Sequence, residues 1–125
     1  MIELGWHWIV DAFDCDPQRL ADVALLTRLL GEVPDALGLR RVGEPQVHVD
    51  EAEEPLVVGL VLLAESHFSI HARPRQRVLH ADLFSCARFD VERCLLQLSQ
   101  AYGFSEHRAH FFERSLPRAP GASAR

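Results

Sequence analysis

Apolar and polar positions alternate in some stretches of this chain and recur at helical spacing in others. From Leu4 to Phe13, Trp6, Trp8 and Val10 fall on one side of an extended chain and His7, Ile9, Asp11 and Phe13 on the other. This period-2 pattern, rich in aromatic and β-branched residues, predicts a strand. Asp16 followed by Pro17 is a helix N-cap with proline at the first helical position, and Leu20, Val23, Ala24, Leu26, Leu29 and Leu30 form an apolar stripe up to Gly31. One amphipathic helix is expected there. Pro34 opposes simple continuation, so residues 34–37 are expected to form a separate short turn closed by Gly38.

A second strand is expected within residues 39–49, and the acidic run Asp50 to Glu54 reads as a solvated connection. Leu56 to Ala64 is almost wholly apolar and too short for a typical helix, which predicts a buried central strand. Beyond Glu65-Ser66-His67, Phe68 and Ile70 alternate with Ser69 and His71, a loop follows over 72–77, and Val78 to Phe84 predicts another strand. From Asp90, the residues Val91, Cys94, Leu95, Leu98 and Tyr102 line one helical face, with Gly103 as the stop. A last strand is expected within 106–113. The order is βα, three strands, then αβ, which predicts an α+β two-layer sandwich, its mostly antiparallel sheet covered by helices on one face. Residues 1–114 form the single expected domain, and 115–125, rich in Pro, Ala, Gly and Ser, a disordered tail.

Composition narrows the chemistry. All thirteen basic residues are arginine, so a lysine-held pyridoxal, a Walker A loop and a Schiff-base aldolase are excluded. Any imine chemistry needs a carbonyl from another source. A formal charge of -5 leaves no footprint for nucleic acid and no polybasic membrane patch. Cys15, Cys86 and Cys94 match no zinc or CxxC spacing, which suggests a reduced, cytoplasmic protein, and the N-terminal residues carry no export or membrane signal. His48, His67, His71, His80, His107 and His110 do not share ligand spacing: 107 and 110 face opposite ways on a strand, and 67 and 71 have no carboxylate at a ligand interval. No metal site is expected. Cys15 and Cys94 read as small core residues.

Two segments are of another kind: Glu65-Ser66-His67-Phe68-Ser69-Ile70-His71 at the end of the apolar strand, and Asp82-Leu83-Phe84-Ser85-Cys86 shortly after. Together with Gly5-Trp6-His7 through Asp11 to Asp14-Cys15, they resemble the prokaryotic S-adenosylmethionine decarboxylases over about residues 5–113. The resemblance implies a cofactor made from the chain itself. A serine hydroxyl attacks the preceding carbonyl, an ester forms, and β-elimination leaves dehydroalanine that hydrolyses to a pyruvoyl group. Mapped here, Ser66 is the pyruvoyl precursor and Schiff-base former, Glu65-Ser66 is the cleaved bond, and the products are 1–65 and 66–125. By the same resemblance His71 moves the proton in β-elimination, Cys86 is the general acid of turnover, and Glu65, His67 and His71 contact a small amino-acid substrate. Homodimers of processed protomers are also implied.

The chain departs from that family in three places. Ala72-Arg73-Pro74-Arg75 stands where the family has Thr-aromatic-Pro-Glu, so the acid associated with the ribose has become Arg75. Residues 46–65 contain no Phe, Tyr or Trp to stack on an adenosyl group, which leaves Trp6, Trp8 or Phe68. Val58 precedes Gly59 where a small hydroxyl residue is common. Decarboxylation of S-adenosylmethionine for polyamine synthesis is therefore expected first. The same chemistry on ornithine or arginine, and a non-processing regulatory paralogue, are the alternatives.

Overall fold

The computed structural model describes residues 2–117. Its elements are β1 (Ile2–Phe13), α1 (Pro17–Leu20), α2 (Val23–Ala36), β2 (Arg41–Asp50), β3 (Leu56–Leu63), β4 (Ser66–Arg73), β5 (Val78–Ser85), α3 (Val91–Tyr102) and β6 (Glu106–Leu116). The six strands form one antiparallel sheet in the order β2-β3-β4-β5-β1-β6, with the helices on one face. The expected α+β two-layer architecture is what forms.

Several elements differ from the expectation for local reasons. The first helix is two helices. Asp16 caps α1 by accepting from the Gln18 N–H at 2.9 Å, and Asp22 then caps α2 by accepting from the Leu25 N–H at 3.0 Å. A second N-cap starts a separate helix. Pro34 lies inside α2, in its last turn, where it forfeits a single ladder bond while Val33 and Pro34 are buried. Four strands, not three, lie between α2 and α3, because the alternation after Glu65 is itself the strand β4. Ser115 and Leu116 pair with β1 opposite Glu3 and Ile2, so the start of the expected tail is strand. The rest of that tail, residues 118–125, lies outside the described residues.

Strand parity divides the sheet. Trp8, Val10 and Ala12 of β1, Phe68, Ile70 and Ala72 of β4, and Leu79, Ala81 and Leu83 of β5 are buried with Leu20, Leu26, Leu30, Cys94, Leu98 and Tyr102 of the helices. Each fully buried leucine contributes about 1.5–3 kcal/mol through surface removed from water. The strand β3 alternates rather than being buried on both faces: Val57, Val61 and Leu63 face the core, while Leu60 and Leu62 are 41% and 55% exposed. Gly59 marks where α2 presses on β3. A Cβ there would lie 2.6 Å from Leu26 Cδ2 and 2.7 Å from Leu30 Cδ1. Among the described residues, none forms a layer on the face away from the helices.

Candidate active site

The hairpin between β3 and β4 turns through Ala64 and Glu65. Glu65 is held in the left-handed region at φ 62°, unusual for a residue with a side chain, and the Ala64 N–H donates to the Arg40 carbonyl at 2.9 Å. Ser66 opens β4 immediately after the strained residue. The register of β4 on β5 pairs His67 with Phe84, which brings Ser66 to the end of β5, where Cys86 follows. There the Cys86 N–H donates to Ser66 Oγ at 3.1 Å, and the Cys86 thiol donates to the Glu65 carbonyl at 3.1 Å. Sγ is also 3.7 Å from Glu65 Oε1. On the other side of β5, Gly5 lets β1 close in: a Cβ would sit 2.7 Å from the Ser85 carbonyl oxygen.

Glu65, Ser66 and Cys86 are thus gathered at one end of the sheet. A hydroxyl stands next to the carbonyl that precedes it in the chain, with an S–H donor on the carbonyl oxygen. That arrangement suits acyl transfer to the hydroxyl, since charge developing on the oxygen meets a donor already in position.

His71 is elsewhere. It lies five residues along β4 from Ser66, about 16 Å at the usual rise, and on the opposite side of the sheet by parity. Its cross-strand neighbours are Val58 on β3 and His80 on β5. Burial, His80 and Arg73 hold its pKa below the ordinary histidine value, against a smaller opposing pull from Asp82. The two positions that the family resemblance ties to processing beyond the cut, 58 and 71, form a pair of their own. The turn over 74–77 is farther still, at the opposite end of β4, where Arg75 Nη1 donates to the Glu53 carbonyl at 2.7 Å.

Of the three aromatic rings considered for stacking, Trp8 and Phe68 are sealed in the core at 1% and 0% exposure. Only Trp6 is partly open. It stacks on Phe111 at 5.7 Å between centroids, and the Arg88 guanidinium lies 4.7 Å over it. Cys15 and Cys94 are buried as expected, their thiols pushed up to about 11 and about 12 chiefly by desolvation.

A cluster that the sequence reading missed lies on the open face beside His67. His7 Nε2 and His67 Nε2 stand 2.9 and 3.1 Å from Asp82 Oδ2, and the Ser69 hydroxyl donates to Oδ1. Burial opposes ionisation of Asp82, but the hydroxyl and the two rings outweigh it, and the carboxyl sits below its usual range. Ligand spacing along the chain could not reveal this set, because strand pairing supplies Asp82 from β5 and His7 from β1. Three possible metal-ligand atoms come within 4.8 Å of one another here. Arg114 Nη1, however, donates to His7 Nδ1 at 3.1 Å, and arginine is only a donor. The ring proton is therefore on Nε2, directed at Asp82, and the cluster is a hydrogen-bond network that a cation would have to break.

The fold and the site define a two-layer α+β domain with Glu65, Ser66 and Cys86 in mutual contact at one end of the sheet. The S-adenosylmethionine decarboxylase family profile matches residues 6–115. The chain is 32% identical over 125 residues to an S-adenosylmethionine decarboxylase proenzyme of Parasynechococcus marenigrum (strain WH8102), covering 98% of this chain and 94% of that one. A proenzyme of the same description from Prochlorococcus marinus (strain MIT 9313) is also 32% identical, covering 98% and 96%. The crystal structure of the adenosylmethionine decarboxylase from Aquifex aeolicus VF5 superposes with a TM-score of 0.80 at 20% identity, covering 98% of this chain and all of that one. The chain belongs to the S-adenosylmethionine decarboxylase family.

Proposed function

We propose that this protein is a pyruvoyl-dependent S-adenosylmethionine decarboxylase that cuts itself between Glu65 and Ser66. The observation that carries the reading is the contact set at the β3–β4 turn, with the Cys86 N–H on Ser66 Oγ and the Cys86 thiol on the Glu65 carbonyl, both at 3.1 Å. In the first step Ser66 Oγ attacks the Glu65 carbonyl carbon, the Glu65–Ser66 C–N bond breaks, and an ester replaces the amide. The left-handed backbone at Glu65 costs free energy in the uncut turn, which the cut is free to release. Loss of the Ser66 α-proton and cleavage of the Cβ–O bond then release 1–65 as a carboxylate. The dehydroalanine left behind takes up water and loses ammonia. The resulting pyruvoyl carbonyl supplies the electron sink for decarboxylation. No lysine is required, consistent with a chain that has none.

After the cut, Cys86 remains at the new end of the 66–125 chain and protonates the product carbon. His71 takes the α-proton of Ser66 in a second copy of the chain, because about 16 Å separates the two residues within one protomer. The open sheet face, with Val42, Leu60, Leu62 and Phe112 each more than 40% exposed, provides the surface for that copy. We assign the enzyme to the cytoplasm as a biosynthetic protein; among the described residues no helix is long and apolar enough to cross a membrane.

Intact-mass analysis tests the cut. Purified protein should give chains 1–65 and 66–125, the second blocked to N-terminal sequencing, and Ser66→Ala should stay whole. An uncut, unblocked chain after long incubation would remove the enzyme reading and favour a regulatory paralogue. Carbon dioxide release from S-adenosylmethionine, ornithine and arginine then separates substrates. Arg75 donates to the Glu53 backbone carbonyl and keeps its charge, so the substrate panel decides what that charge means.

A further inference from the structure

We propose that Asp82 is a positioning residue for self-scission, acting through His67 to hold Ser66 against Cys86. This rests on the self-processing reading above and adds a residue outside the reacting set. Asp82 pairs with Ser69 across β4 and with Ile9 across β1. Its carboxylate nevertheless reaches two residues along both neighbours, toward the Ser66 end, to His67 on one side and His7 on the other. Diagonal contacts of this kind fix the register of three strands at once. They do so at the residue directly following Ser66 and four residues before Cys86.

The rings are boxed in as well as bonded. Phe84 lies 5.5 Å from the His7 ring and 6.1 Å from the His67 ring, and the two imidazoles meet edge to face at 6.0 Å. Arg114 from β6 closes the set, 3.1 Å from His7 Nδ1 and 5.7 Å over Phe84. Without the carboxylate, the first residues of β4 keep their backbone pairing with β5 but lose the side-chain tie to it and to His7 of β1. Small shifts then matter, because acyl transfer needs the hydroxyl at a near-attack distance.

The test measures scission rates of freshly made full-length protein by intact mass. Asp82→Asn should slow scission at least tenfold, His67→Gln by a similar factor, and the double variant no further. Losses that multiply would mean that Asp82 does not act through His67. The pH dependence supplies a second readout. The titratable groups bonded to Asp82 are His7 and His67; Arg114 lies behind His7, and His71 and His80 lie farther along the same face. The charge of Asp82 draws the His71 pKa upward against burial, so the profile of Asp82→Asn should move to lower pH. A packing role alone would slow scission equally at every pH. Should Asp82→Asn fail to fold, Ser69→Ala carries the test: several-fold slowing supports the assignment, and an unchanged rate overturns it. Wild-type protein that cuts no faster than Asp82→Asn defeats this assignment alone, whereas wild-type protein that never cuts defeats the self-processing reading and this assignment with it.

Discussion

At the scale of single residues, Cys86 has two partners that belong to different moments of the chemistry. Its thiol lies on the Glu65 carbonyl oxygen, at the bond proposed to be cut, and its backbone N–H lies on Ser66 Oγ, the proposed nucleophile. A serine in its place would keep both kinds of donor, so Cys86→Ser should still undergo scission. Turnover is a different demand, because a hydroxyl is a far weaker acid than a thiol, and losing a general acid typically costs about 10²–10⁴-fold. Protonation misdirected onto the cofactor carbon would also convert the new N-terminus to alanine. Steady-state rates with mass analysis of the 66–125 chain check this, and wild-type turnover without inactivation would make Cys86 merely structural. Glu65, Ser66 and Cys86 were legible in the sequence because two short motifs carry them. His7 and Asp82 were not, since they meet His67 only through the register of three strands, which no local spacing encodes.

Among the elements, α2 and β3 depend most visibly on one position. Gly59→Ala would drive a methyl group into the ends of Leu26 and Leu30, with the Gln46 carbonyl 3.3 Å away on the other side. Flexible leucine ends can yield, so the expected cost is that of overpacking, about 1–3 kcal/mol. Thermal unfolding of a non-cleaving Ser66→Ala background should show the midpoint fall by several degrees, and an unchanged midpoint would mean that α2 simply rides outward. The strand β1 was readable from period-2 alternation, β3 from its short apolar run, and α3 from its Asp90 cap and Gly103, which sits at φ 73° as a left-handed stop. The break between α1 and α2 was hidden. Asp22 lies in an unbroken apolar stripe, and only its side-chain bond to the Leu25 N–H turns it from a helix residue into a cap. The alternation of Phe68 and Ile70 with Ser69 and His71 was legible, but not that the strand it marks begins at Ser66 and runs to Arg73.

For the whole molecule, the open face is where sheet parity concentrates the histidines: His7, His48, His67, His71, His80 and His110 all lie on it, and only His107, opposite Ala12, does not. That is the face proposed to meet a second copy, so protonating His71 would place charge there. His71 gives the sign. Its pKa is held down by burial, so the unfolded chain binds its proton more readily, and the stability it contributes is present at neutral pH and lost as pH falls. Sedimentation at micromolar concentration should show dimers near pH 7.5 and monomers near pH 5.5. The sharper test asks whose Ser66 a given His71 serves. Ser66→Ala lacks the nucleophile but keeps His71, and His71→Gln keeps the nucleophile but lacks the proton acceptor, so each alone should stay uncut. Co-expressed, a mixed pair would set the intact His71 of one protomer against the intact Ser66 of the other. Scission should then appear only in the His71→Gln chain, which intact mass distinguishes from its partner. If the mixed protein stays whole while co-expressed wild-type chains cut normally, His71 does not act across the dimer and the open face has lost its assigned role.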